Sequence, residues 1–141
     1  MDDRIKLEYK VSPDDFTRAG EASGNLKKVL KTMGVSPEAI RRVSIAMYEG
    51  EINMVIHANG GDITVYVSET DITMILKDVG PGIPDVEKAM QAGWSTAPDN
   101  IRSLGFGAGM GLPNMKRYTD EMHIDSTVGV GTTVTMKVNY Q

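Results

Sequence analysis

Glu49 and Asn53 stand four residues apart, so a helix over Pro37–His57 would put a carboxylate and a neutral amide on one face. A carboxylate there suits a general base, and an amide oxygen suits a hydrated Mg²⁺ ion that takes its other ligands from phosphates. Two glycine clusters follow, Asp78-Val79-Gly80-Pro81-Gly82 and Gly105-Phe106-Gly107-Ala108-Gly109-Met110-Gly111. In the second, glycines at every other position run into a helix-like stretch, Leu112 to Tyr118. Few Cβ atoms then stand between backbone N–H groups and an anion at a helix N-terminus. Phosphate is the natural guest. No Gly-Lys-Ser/Thr follows, so the cluster is not a P-loop, and no clear strand feeds into it as a dinucleotide fingerprint requires.

The first cluster ends an alternating apolar run, Ile72-Thr73-Met74-Ile75-Leu76-Lys77, which puts Asp78 at a strand end with Gly80 and Gly82 turning the chain sharply. A carboxylate facing an exocyclic amine would select adenine over guanine, because the wrong base leaves polar groups unpaired at about 1–3 kcal/mol. Each feature alone has an ordinary reading: a solvated helix face, an Asp-x-Gly turn, a flexible loop. All three together, in this order, point to a nucleotide site.

The elements that would position these residues follow from periodicity. Ile5, Leu7, Tyr9 and Val11 alternate with charged residues and predict a strand with one buried face. Ser12-Pro13-Asp14-Asp15 then opens a helix with Phe16, Ala19, Ala22, Leu26, Val29, Leu30 and Met33 on its apolar stripe, ended by Gly34. Ser36-Pro37-Glu38 starts the next, with Ile40, Val43, Met47 and Met54 toward the core. Ile63-Val65-Val67 and Ile72-Met74-Leu76 form a hairpin around Glu69-Thr70-Asp71. A short helix over Pro84–Ala92, a lid-length loop over Gly93–Ala108, a helix from Leu112, and strands near Glu121–Thr127 and Thr132–Tyr140 complete the pattern. The expected fold is α+β: a two-layer sandwich, with a mixed sheet carrying helices on one face.

Composition narrows the class. A chain of 141 residues with 40% hydrophobic content is one domain, able to bury roughly two-thirds of its unfolded surface. The net charge of -4 and pI near 5.1 argue against nucleic acid, and the absence of cysteine excludes disulfides and thiol catalysis. With neither a signal peptide nor a long apolar run, the cytoplasm is the expected location and no membrane association is expected. His57 reads as a structural donor near a helix end, and His123 as a half-buried strand residue. The ten methionines read as adaptable packing.

Taken together, the chain resembles the Bergerat-type (GHKL) ATP-binding domains shared by gyrase, heat-shock chaperones and histidine kinases. Glu49-x-x-x-Asn53 resembles their N box, Asp78-x-Gly80-x-Gly82 the G1 box, Gly109-x-Gly111 the G2 box, and Gly131-Thr132-Thr133 the closing threonine motif. The likeness is nearest to the small serine kinases of bacterial partner-switching modules, both anti-sigma factors and stress-signalling switch kinases. The resemblance implies ATP with Mg²⁺, Glu49 as the catalytic group taking or orienting a hydroxyl proton, and Asn53 as metal ligand. It also implies adenine selection by Asp78, a phosphate cradle of Gly107, Ala108, Gly109, Met110 and Gly111, and nucleotide contacts from Gly80, Gly82, Thr132 and Thr133. The implied substrate is a seryl hydroxyl on a STAS-type antagonist protein, with a homodimer possible. The alternative is a regulator that binds a sigma factor or a phosphatase with ATP as conformational ligand; a third reading is a bare ATPase. Glu49 favours chemistry, since an ATP-gated switch needs no base.

Overall fold

The computed structural model describes residues 4–12, 19–57, 60–80 and 111–140. In chain order these form β1 (Ile5–Val11), α1 (Glu21–Thr32), α2 (Pro37–His57), β2 (Gly61–Val67), β3 (Asp71–Asp78), α3 (Gly111–Arg117), β4 (Glu121–Thr127) and β5 (Gly131–Asn139). The expected α+β architecture is present, with a five-stranded sheet in the order β1-β2-β3-β5-β4.

Alternation along the strands decides which face meets the helices. Ile63, Val65 and Val67 of β2, Ile72, Met74 and Leu76 of β3, and Val134, Met136 and Val138 of β5 are buried in one core cluster. Leu26 and Leu30 of α1 and Val43, Met47 and Met54 of α2 fill that cluster from the helical layer. Between the buried positions lie half-buried Thr64, Tyr66, Thr73, Ile75, Thr133, Thr135 and Lys137.

The sheet is not mixed as expected. All four neighbouring pairs are antiparallel. β3 and β4 do run in the same direction, but the β4–β5 hairpin places β5 between them, so no parallel neighbours arise.

Helix α2 occupies its expected span, and Ser36 Oγ accepts the Ala39 N–H at 3.3 Å as its cap. Helix α1 ends as expected: Gly34, at φ 81°, donates to Lys31 O and Val35 donates to Leu30 O, the paired bonds of a Schellman motif. Its start differs. Gly20 sits in the left-handed region at φ 95°, and the helix begins only at Glu21, so Ala19 lies in the preceding turn. Phe16 and the Ser12-Pro13-Asp14-Asp15 opening lie largely outside the described residues, as do Pro84–Ala92 and the lid-length loop. His123 is exposed, not half-buried, because Met122 and Ile124 take the sheltered phase of β4.

Candidate functional site

Asp78 is the last residue of β3, and its aim is fixed from β5. The Thr132 N–H donates to Asp78 Oδ1 at 2.8 Å, while Oδ2 has no hydrogen-bond partner among the described residues. Burial pushes the Asp78 carboxyl above the ordinary aspartate range, and the Thr132 N–H opposes that rise. The backbones meet closely here: a Cβ on Gly131 would lie 2.3 Å from the Asp78 carbonyl oxygen. Thr132 is itself buried, with its hydroxyl 3.0 Å from Ser126 Oγ, and the Gly80 N–H donates to Val130 O at 3.2 Å. Gly131→Ala should therefore push β5 off β3 where Asp78 is oriented. A loss of about 1–3 kcal/mol in stability is expected from such overpacking against backbone, measured as a lower denaturant midpoint. An unchanged midpoint would mean the strands separate there without cost.

Glu49 and Asn53 lie on the α2 face that meets α3. Asn114 Nδ2 stands 3.4 Å from Glu49 Oε1, a long hydrogen bond, and Asn53 Nδ2 reaches Met115 Sδ at 3.9 Å. Asn53 Oδ1 accepts no hydrogen bond among the described residues and remains an unused acceptor on a half-buried side chain. At the far end of the same contact, Arg42 pairs with Asp120 at 3.0 Å, so α3 packs antiparallel to this stretch of α2.

Two glycines bring the helix and the strand end together. A Cβ on Gly50, beside Glu49, would lie 2.3 Å from Leu76 Cδ2, and one on Gly61 would lie 2.7 Å from both Asp78 Cα and Met54 Cε. Without side chains at these positions α2 settles onto the strand that ends in Asp78. Glu49, Asn53 and Asp78 are thus gathered at one end of the sandwich.

A residue that the motifs did not flag is the most tightly bound polar group nearby. Glu51 is 3% exposed, and its carboxylate accepts the N–H groups of Gly20 and Ala22 on Oε2, at 3.0 and 3.1 Å, and of Ser23 on Oε1, at 3.1 Å. It caps α1 from another helix. A carboxylate suits that place because the first-turn N–H groups have no intrahelical acceptor and carry the positive end of the helix dipole. Its position was readable: Glu51 lies four residues after Met47 and three before Met54, so an acid interrupts the core stripe of α2. Asn114, which no motif marked, carried no comparable signal.

Residues 13–138 match the family described as "Histidine kinase-like ATPase domain". The chain belongs to this family. The histidine kinase-like ATPase fold accounts for the sandwich described above and makes the chain an ATP-binding protein. Among relatives, the anti-sigma F factor of Clostridium novyi is 32% identical over 142 aligned positions, covering 95% of this chain and 92% of the relative. The serine/threonine-protein kinase RsbT of Bacillus subtilis is 32% identical over 112 positions, covering 77% and 78%. The anti-sigma F factor of Caldanaerobacter subterraneus is 38% identical over 104, covering 70% and 69%.

Within this ATPase domain the described residues place Glu49, Asn53, Asp78, Gly80, Thr132 and Thr133, and Gly111 opens α3. Gly82, Gly107, Ala108, Gly109 and Met110 lie outside them, and so does the His57 side chain. Thr132 and Thr133 point to opposite faces of β5; Thr132 is buried and holds Asp78 through its backbone N–H, and Thr133 is half-buried on the other face. Among the described residues, no helix is long and apolar enough to cross a membrane.

Proposed function

We propose that the chain is an ATP-dependent protein serine/threonine kinase of a bacterial partner-switching module, acting on a seryl hydroxyl of a STAS-type antagonist protein. The observation that carries this reading is the placement of Glu49 and Asn53 on successive turns of α2, at the end of the sandwich where Asp78 closes β3. Bound ATP supplies the phosphoryl group, with Mg²⁺ neutralising its charge.

The chain's own residues fit that ligand. Asp78 keeps Oδ2 open for the exocyclic amine of adenine while Thr132 fixes its other oxygen. Asn53 offers an unused amide oxygen to the metal, a sparse protein contribution suited to an ion that draws its other ligands from water and phosphate. Glu49, steadied by Asn114, takes or orients the proton of the acceptor hydroxyl. In this reading Gly80, Gly82, Thr132 and Thr133 contribute nucleotide contacts, and Gly107, Ala108, Gly109, Met110 and Gly111 are the phosphate-binding residues.

A second reading has support in the names of two relatives, anti-sigma F factors: a regulator that binds a sigma factor, with ATP as conformational ligand. Incubating the chain with Mg-[γ-³²P]ATP and purified STAS-domain proteins separates the two. Label on a serine of one of them supports the kinase; ATP-dependent complexes without label support the regulator.

Asp78→Asn tests the base contact. The amide can keep its oxygen toward Thr132 only by turning its NH₂ toward the adenine amine, donor against donor. Losing a charge-assisted bond of about 1.5–3 kcal/mol should weaken ATP by roughly one to two decades with the fold retained. Wild-type affinity by calorimetry would remove Asp78 from the base site.

A further inference from the structure

On an acidic chain, one surface gathers cations that make no ion pair among the described residues. Arg41 of α2 and Arg117 of α3 place their guanidinium carbons 5.5 and 5.6 Å from the centroid of the same ring, that of Tyr118. The two positive groups are therefore no farther apart than those distances combined. Lys116 precedes Arg117 on the same helix, and all three cations are exposed. None of the three makes an ion pair among the described residues. The acid near them, Asp120, is already bound by Arg42 at 3.0 Å and by the Asn139 N–H at 2.6 Å. Glu38, one turn before Arg41, makes no ion pair among the described residues.

Both guanidinium groups lie within cation–π range of the ring, and exposed arginines gathered there suit an anionic partner, above all a carboxylate that can accept bidentate contacts. We propose that Arg41, Lys116, Arg117 and Tyr118 form the docking surface for the protein substrate, recognising a carboxylate-bearing face of that partner. This rests on the kinase reading above. The placement supports it: Arg41 precedes Glu49 by eight residues on one helix, a rise of about 12 Å. A single protein interface of ordinary size, roughly 800 Å² a side, spans both points. One partner would then cover the patch while its hydroxyl reaches Glu49. Charge complementarity favours an acidic protein face over a phosphate polymer, because the patch holds three cations on a chain of net charge -4.

The test uses the full chain with the STAS-domain proteins of its source organism, purified one by one. Affinity is measured with a non-hydrolysable ATP analogue present, and phosphorylation separately with Mg-ATP. The combined variant Arg41→Glu and Arg117→Glu should bind the cognate protein at least tenfold more weakly, with a flatter dependence on salt and with ATP affinity unchanged. The lysine pair, Arg41→Lys and Arg117→Lys, should fall between, keeping charge but losing the planar fork. Wild-type affinity in the glutamate variant would overturn the docking surface and leave the kinase reading standing. A partner that binds through the patch yet is never phosphorylated would keep the surface and sink the kinase. Binding of single-stranded DNA or phosphatidylserine vesicles through these residues, with no STAS-domain protein bound, would overturn the proposal, as would the absence of any binding.

Discussion

Glu51→Ala is expected to destabilise the chain by about 2–4 kcal/mol, a large share of the ~5–15 kcal/mol available to a domain. The carboxylate accepts three backbone N–H groups at the start of α1 and is almost wholly buried, so its removal strands donors that water reaches poorly. Loss of an ordinary side-chain cap costs about 0.5–2 kcal/mol, and the further cost here reflects the charge and the number of donors. Glu51→Gln should cost less but still measurably. Both carboxylate oxygens accept bonds, and an amide would turn its NH₂ against one of those donors. Equilibrium unfolding in urea reads both. If the alanine variant matches the wild type, the α1 donors find water or another acceptor and the clamp is not a stability determinant.

Glu49→Ala and Asn53→Ala should fail in different ways. A lost general base lowers turnover by about 10²–10⁴ with ATP still bound, whereas a lost metal ligand weakens Mg²⁺-dependent nucleotide binding itself. Single-turnover phosphorylation and equilibrium ATP binding, measured on both variants, separate these effects. Phosphorylation at the normal rate by the Glu49 variant would leave positioning alone as the source of catalysis. Asn114 gives a physical reason for the two effects to be separable: it contacts Glu49, while Asn53 leans on Met115.

Much of this arrangement is legible in the sequence. α2 could be bounded because a capping serine, a first-turn proline and an apolar stripe agree, and β2 and β3 because strict alternation leaves one phase for the core. What escaped depended on partners distant in sequence. The apolar spacing places the start of α1 too early because it runs through Gly20, whose left-handed backbone is held by an acid 31 residues later. Glu51 shows in the sequence only as an acid interrupting the apolar stripe of α2, because the donors it caps lie 28 to 31 residues earlier. The wholly antiparallel sheet depended on where the last hairpin inserts, which local pattern does not encode.

The bond from Thr132 to Asp78 has a consequence for how the site is specified. Asp78 is aimed by an amide on a neighbouring strand, so its direction is a property of strand alignment and not of the aspartate's own loop. That alignment is set by the apolar phase of Ile72, Met74 and Leu76 against Val134, Met136 and Val138, since a slip of one residue would turn each of them to the wrong face. The hydrophobic interior therefore works as a ruler for a polar contact: the methyl groups that keep water out also fix which amide reaches the carboxylate.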